Sequence, residues 1–357
     1  TTGWCKVEAR HCVLICVIEQ YSLRLYEVQV SSKSASFILI DIIRKLDYRM
    51  ASNSNSMSDL TFAIIGGTGN TGKWAVKAAL QRGAKARVLC RSPEKLKTIY
   101  ATLWKDDGEP SNDDDLSYDK VIKSGQLTIV QGSIPIGNKG DDVFSANSDS
   151  YEASIEQKTA LKELITGSTH VMSFLGMDPN SLAPVCRPGI AAIMEATRDV
   201  GSEEGSSASS TAAPPKILIM SSLILSDSYA QGKAAWGCCG SMGYCMRWKI
   251  LRAVFDDMEA AEQYGFEHRT RMGLDVSFLR ATVLGDRKNY FLGYDDASST
   301  TDGGNSAKKY FVVKSDELKK VTLRIDRQHV VQCFMDVAAD REQKMFGSNT
   351  EWSIFDA

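Results

Sequence analysis

Thr61-Phe-Ala-Ile-Ile-Gly66-Gly67-Thr68-Gly69-Asn70-Thr71-Gly72-Lys73-Trp74-Ala75-Val76-Lys77-Ala78-Ala79-Leu80 decides the fold of this chain. A short apolar run, residues 61–65, reads as a buried parallel strand. Val76, Ala79 and Leu80 then recur at the i, i+3, i+4 spacing of a helix that stops at Gly83. Between them Gly66, Gly69 and Gly72 stand three apart. Missing side chains at such positions allow a tight turn, close approach of backbone to a pyrophosphate, and close packing of helix on strand. The free N–H groups and the positive dipole end of the helix face the same place. Strand, glycine turn and helix in that order imply a dinucleotide-binding βα unit. An ordinary glycine-rich loop is the alternative that the bare spacing leaves open.

The next strand, Lys85-Ala-Arg-Val-Leu-Cys90, ends in Arg91-Ser92-Pro93. An acid at this point would hold the ribose hydroxyls of NAD. The residue here is basic, so Arg91 can fork onto a 2′-phosphate and Ser92 can donate to it, which favours NADP. Ser92 also precedes Pro93 at a helix start whose apolar face is Leu96, Ile99 and Tyr100, so it doubles as a candidate N-cap.

Outward from this core, strands and helices alternate. Gln126–Val130 reads as a third strand, a helix is expected from about Tyr151 to Ile165, and His170–Gly176 as a fourth strand. A helix over about Val185–Val200 carries Ile190, Ile193, Met194 and Thr197 on one face, and Lys216–Ser222 is a fifth strand. A long helix is expected from about Cys245 to Tyr264, with Met246, Ile250, Leu251, Val254, Phe255, Met258 and Ala261 as its buried stripe. Asp275–Arg280 follows as a sixth strand, Leu323–Ala338 as a strand entry and helix, and Glu351–Phe355 as a short closing strand. The alternation predicts a doubly wound, Rossmann-type α/β parallel sheet over residues 57–357, with Gly66, Arg91, Gly132, Gly176 and Ser222 ringing one crevice at the strand ends. The acidic stretch Lys105–Ser117 and the segment after the third strand read as solvated insertions.

The chain has 357 residues and a formal net charge of −2, which gives no electrostatic case for nucleic acid or an anionic membrane. No apolar run reaches the roughly 18 residues of a membrane span. The nine cysteines form no Cys-x-x-Cys pair and sit mostly in apolar segments. That pattern suits reduced thiols in the cytoplasm or another reducing compartment, with import into an organelle left open, and no metal site is expected. Residues 1–56 stand apart as a leader of unassigned function, joined through the polar linker Ala51–Asp59. They read as a remnant of a longer precursor or as sequence upstream of a domain that starts at Met57. Cys12–Ile18 and Leu23–Val30 there are strand-like and Phe37–Leu46 helix-like, while the acids Glu8, Glu19, Glu27, Asp41 and Asp47 do not suit a transit peptide.

Taken in order, Gly66–Gly72, Arg91-Ser92, Met172–Gly176, Ile219–Ser222 and Phe278–Arg280 resemble the atypical short-chain dehydrogenase/reductases. Within that group they resemble the branch of NAD(P)H-binding proteins that includes the NmrA-like regulators and the flavin/biliverdin-IXβ reductases. The resemblance runs over about Leu60–Phe355. It implies that Gly66, Thr68, Gly69, Asn70, Thr71 and Gly72 line the pyrophosphate, that Arg91 and Ser92 take the 2′-phosphate, that Gly176 lies beside the ribose, and that Ser221 and Ser222 lie near the nicotinamide. Gly132-Ser133 replaces the family's Gly-Asp, and Ala281 replaces the proline after Arg280.

The wider superfamily protonates its product with a Tyr-x-x-x-Lys dyad on a helix. Tyr229-Ala-Gln-Gly-Lys233 matches literally but comes seven residues after Ser222 and contains Gly232, in a segment too early for the long helix. Setting Glu259 or Glu262 on the family's glutamate places Leu251 and Phe255, or Val254 and Met258, at the dyad positions. The resemblance therefore implies either an NADPH-dependent oxidoreductase that passes hydride directly to a flavin-, quinone- or tetrapyrrole-like small-molecule acceptor, with Ser222 as candidate catalytic group, or a non-catalytic NADP-binding regulator or assembly factor with a protein partner. Deleting residues 1–56 should leave a protein with one cooperative thermal melt, measured by calorimetry. Aggregation or loss of the cooperative melt would place the leader in the core.

Overall fold

The computed structural model describes residues 6–9, 12–19, 22–29, 57–103, 117–144, 152–178, 180–204, 214–222, 251–281, 283–285, 310–314, 324–340 and 351–356. The chain divides into two compact units, Thr1–Asn55 and Ser56–Ala357. In the first, β1 (Lys6–Ala9), β2 (Cys12–Glu19) and β3 (Ser22–Gln29) form a three-stranded antiparallel sheet. β2 and β3 occupy the two strand-like stretches of the leader, β1 is additional, and the helix-like Phe37–Leu46 lies outside the described residues.

The second unit is built on β4 (Thr61–Ile65), β5 (Lys85–Cys90), β6 (Leu127–Gln131), β7 (His170–Ser173), β8 (Lys216–Ser222) and β9 (Val276–Ala281). After these come β10 (Val283–Gly285), β11 (Tyr310–Lys314), β12 (Arg324–Asp326) and β13 (Glu351–Asp356). An eight-stranded sheet runs in the order β11-β13-β9-β8-β7-β4-β5-β6, and β10 pairs with β12 separately. Every neighbouring pair in the large sheet is parallel except β11 with β13. The chain steps from β4 outward to β5 and β6, then returns to the other side of β4 for β7, β8 and β9. That reversal is the switch point of a doubly wound sheet, and it opens a crevice beyond the carboxyl ends of β4 and β7. This is the Rossmann-type α/β architecture that the alternation of elements implies.

Both faces of the sheet are covered, which is why its strands are almost wholly apolar. On one side Ala63, Ile65, Val171, Ile217, Ile219, Val276 and Phe278 join the core of α4 (Ile155–Ile165), α5 (Cys186–Glu204) and α6 (Arg252–Met272). On the other, Ile64, Val88 and Val76 of α1 (Gly72–Gln81) converge on the side of Gly67 that lacks a side chain, and α1 packs beside α7 (Arg327–Ala339). The α2 (Pro93–Leu103) and α3 (Tyr118–Lys123) helices also belong to the unit. The expected stripe on α5 is buried throughout, with Thr197 returning its hydroxyl to the Ile193 carbonyl at 2.7 Å.

Two boundaries move from their expected places. The α4 helix begins after Ser154, whose side chain accepts from Gln157 N–H while Gln157 returns a bond to Ser154 N–H. This capping box sets the start. The α6 helix runs from Arg252 to Met272, past Gly265, and stops at Gly273 with φ +67°. Gly265 does not end the helix because its missing side chain makes room for a neighbour: a Cβ there would lie 2.5 Å from Phe278 Cζ. Residues 245–250 of the expected stripe lie outside the described residues, and Val254 and Met258 are only half-buried.

Asp257 of α6 is fully buried and binds the start of α5. Its Oδ2 accepts from Val185 and Cys186 N–H at 2.9 and 2.8 Å, and its Oδ1 from Arg187 N–H at 3.0 Å. One helix thus supplies the N-cap of another and places an anion at the positive end of its dipole. Burial and the Asp257 carboxylate push the Cys186 thiol well above its ordinary range. Asp257→Ala should cost about 2–3 kcal/mol in urea unfolding, the loss of a charged cap that serves several buried donors. A cost below about 0.5 kcal/mol, the usual effect of a surface substitution, would contradict that role.

Candidate dinucleotide site

Leaving β4, the chain enters Gly66 with φ +80°, a conformation that an L side chain strains to adopt. Space forbids a side chain there as well, since a Cβ would lie 2.7 Å from the Phe174 carbonyl oxygen. The turn closes with Gly69 N–H donating to Gly66 O at 2.8 Å, and α1 opens with Lys73 N–H to Gly69 O at 3.1 Å. At Gly72 a Cβ would fall on the Gly66 carbonyl itself, so the first turn of the helix sits directly on the strand end. Gly69 differs from both. It is exposed, and its Cβ would meet the Gly66 oxygen at 3.1 Å and nothing else within 4 Å. Gly66 and Gly72 therefore shape the turn, while Gly69 keeps space open above it.

The helix start faces that space without a side-chain cap. Thr71 makes no capping hydrogen bond, and no acid lies in the first turn. Among the described residues, the backbone bonds of the turn leave out the N–H groups of Thr68, Asn70, Thr71 and Gly72. Uncapped N–H donors at a positive dipole end, over open space, fit an anionic group such as a pyrophosphate. Asn70 is exposed and Thr68 half-exposed; Thr71 is buried.

Around the crevice the other expected residues fall at strand ends. Arg91 and Ser92 follow β5 and are both exposed. Arg87, earlier on β5, is committed elsewhere: its guanidinium donates to the Leu164 and Glu163 carbonyls at the end of α4. Gly132 follows β6, but its reason is packing, because a Cβ would lie 2.5 Å from that of Ala160. Gly176 lies three residues beyond β7 in the open. Ser221 and Ser222 end β8 and are buried, on opposite faces of the sheet by strand alternation. Ser221 stands opposite Arg280 in the ladder with β9. Tyr229 and Lys233 lie outside the described residues.

Arg280 forms a buried pair with Glu262 of α6, Nε to Oε1 at 3.0 Å and Nη2 to Oε2 at 2.5 Å. The side chains are 4% and 6% exposed, and the Phe266 ring lies over the guanidinium at 6.0 Å. Of the two acids Glu259 and Glu262 that the sequence offered for the family's glutamate, Glu262 is the one paired with Arg280. Asp257 was not foreseen, and its signal was an acid inside the buried stripe of a helix. Among the described residues no group of three or more His, Cys, Asp or Glu could hold a metal, and no helix is long and apolar enough to cross a membrane.

No protein-family model and no curated protein matches the chain. Similar solved structures include the oxidoreductase ylbE from Lactococcus lactis, 12% identical, covering 83% of this chain and 90% of its own, with a TM-score of 0.46. Vestitone reductase from alfalfa is 12% identical over 79% of this chain and 73% of its own, with a TM-score of 0.40. An NmrA double mutant is 12% identical over 63% and 46%, with a TM-score of 0.34. Likeness at this level decides neither family nor activity, and the fold rests on the strand order itself.

Removing one member of the Glu262–Arg280 pair leaves an uncompensated buried charge. Glu262→Ala should therefore lower unfolding free energy by about 3–5 kcal/mol, whereas Glu262→Leu combined with Arg280→Met should recover most of it. A double variant no more stable than Glu262→Ala would show that the pair is not the unit that matters.

Proposed function

We propose that this protein is an NADPH-dependent oxidoreductase of the atypical short-chain dehydrogenase/reductase type. The observation that carries the reading is the turn at the switch point: two glycines that admit no side chain, a third that keeps the space above it open, and an uncapped helix start facing that space. In this reading the N–H groups of Thr68, Asn70, Thr71 and Gly72 hold the pyrophosphate, with Gly66 and Gly69 allowing its approach. Arg91 forks onto the 2′-phosphate and Ser92 donates to it. Gly176 borders the ribose, and Ser222, on the face opposite Ser221, orients the nicotinamide or polarises the acceptor carbonyl. NADPH, when bound, supplies a hydride.

A conventional proton-donating dyad has no place in this reading. Counting from Glu262, the glutamate that pairs with Arg280, puts Val254 and Met258 at the dyad positions. Neither side chain can donate a proton. An acceptor that needs little acid catalysis suits such a site, and the class we propose is flavin-, quinone- or tetrapyrrole-like. The same two apolar residues favour a second reading, an NADP-binding regulator or assembly factor without turnover. Steady oxidation of NADPH with a flavin or quinone acceptor supports the enzyme; tight NADPH binding with no turnover supports the regulator. Buried thiols at Cys90 and Cys186 support a reducing compartment.

Calorimetry should find NADPH bound much more tightly than NADH. Arg91→Glu should weaken NADPH binding by about 1.5–3 kcal/mol, the value of a charge-assisted hydrogen bond, and leave NADH nearly unchanged. Equal affinities for the two nucleotides in the unaltered protein would overturn the choice of NADP.

A further inference from the structure

Among the described residues, two hydroxyls near the carboxyl ends of adjacent strands have no hydrogen-bond partner although both are buried: Ser173 Oγ, at the end of β7, and Ser221 Oγ, near the end of β8. Their residues are 1% and 4% exposed. The ladder sets Ser173 opposite Ile219, two residues before Ser221, so both serines face the same side of the sheet. On that side they line one cavity of about 10 Å³ with Cys186 and Ile190 of α5, and Met258 and Glu262 of α6. A buried hydroxyl without a partner costs about 1–3 kcal/mol, so two around one space are an unstable arrangement unless something fills it. The volume matches the roughly 10–15 Å³ that a single water needs.

We infer that this cavity is a hydration site for one ordered water, bridging Ser173 Oγ and Ser221 Oγ and tying β7 to β8 beneath the crevice. Water is both donor and acceptor, so it satisfies either orientation of each hydroxyl, which a bound ion does not. Leu175, Ile190 and Phe278 add apolar wall, and the volume itself leaves no room for a guest larger than water. The inference stands on the cavity and its two hydroxyls and is independent of any cofactor.

The test is a crystal structure of the full chain at about 1.6 Å or better, with the thermal melts of Ser173→Ala and Ser221→Ala beside it. The expected result is a density peak at hydrogen-bond distance from both Oγ atoms and a lower melting temperature for each variant, because each deletion strands the water's remaining bond. An empty cavity overturns the inference. So does a rise in melting temperature in either variant, since removing a truly orphaned hydroxyl stabilises a protein.

Discussion

Everything around the crevice depends on how closely α1 is set on the end of β4. The Gly72 position lies so near the Gly66 carbonyl that no side chain fits between them, and a side chain on Gly66 would in turn collide with the Phe174 carbonyl beyond β7. Helix start, strand end and neighbouring strand end are therefore held at backbone contact. The chain reverses direction in the sheet at the same place, so the crevice that every doubly wound sheet has beyond its switch point is here floored by backbone. With few side chains in the way, the N–H groups at the helix start are what a ligand would meet.

Opposite this turn, α6 is fixed by charge. Asp257 caps α5 with three backbone hydrogen bonds, and Glu262 grips Arg280 on β9. The two acids lie five residues apart and serve different neighbours, so one helix is tied at once to its companion helix and to the sheet. Between them Met258 borders the small cavity that holds the two serine hydroxyls. Polar groups buried this way fix orientation more than they add net stability, because burying the charges cancels much of their attraction.

The sequence revealed the central strands closely, since a strand buried on both faces writes itself as an unbroken apolar run between turn residues. Lys85–Cys90 and Lys216–Ser222 match the structure end to end. Helix limits were less legible where one local signal has two meanings. The long helix was expected to stop at about Tyr264, but it runs on through Gly265, which serves packing against Phe278, whereas Ser154 with Gln157 carried a capping-box pattern that marks the start of α4 more sharply than the apolar period does. At the site the glycines of the turn were legible because their reason is local. The partners of Asp257 and Glu262 were not, because long-range pairing across elements leaves no fixed spacing in the chain. Likewise the glycine spacing did not separate Gly132, which packs on Ala160, from Gly69, which borders open space.

The claim at the centre of this account is that the space above Gly69 receives a dinucleotide pyrophosphate. Calorimetric titration with NADPH of the unaltered protein and of Gly69→Val tests it most directly, with thermal melts to establish that both are folded. A branched side chain at an exposed glycine with open space around it leaves the sheet intact but occupies the place of the phosphates. The account predicts saturable one-to-one binding to the unaltered protein and none detectable to a folded Gly69→Val variant. Equal NADPH affinity in the two proteins would contradict it.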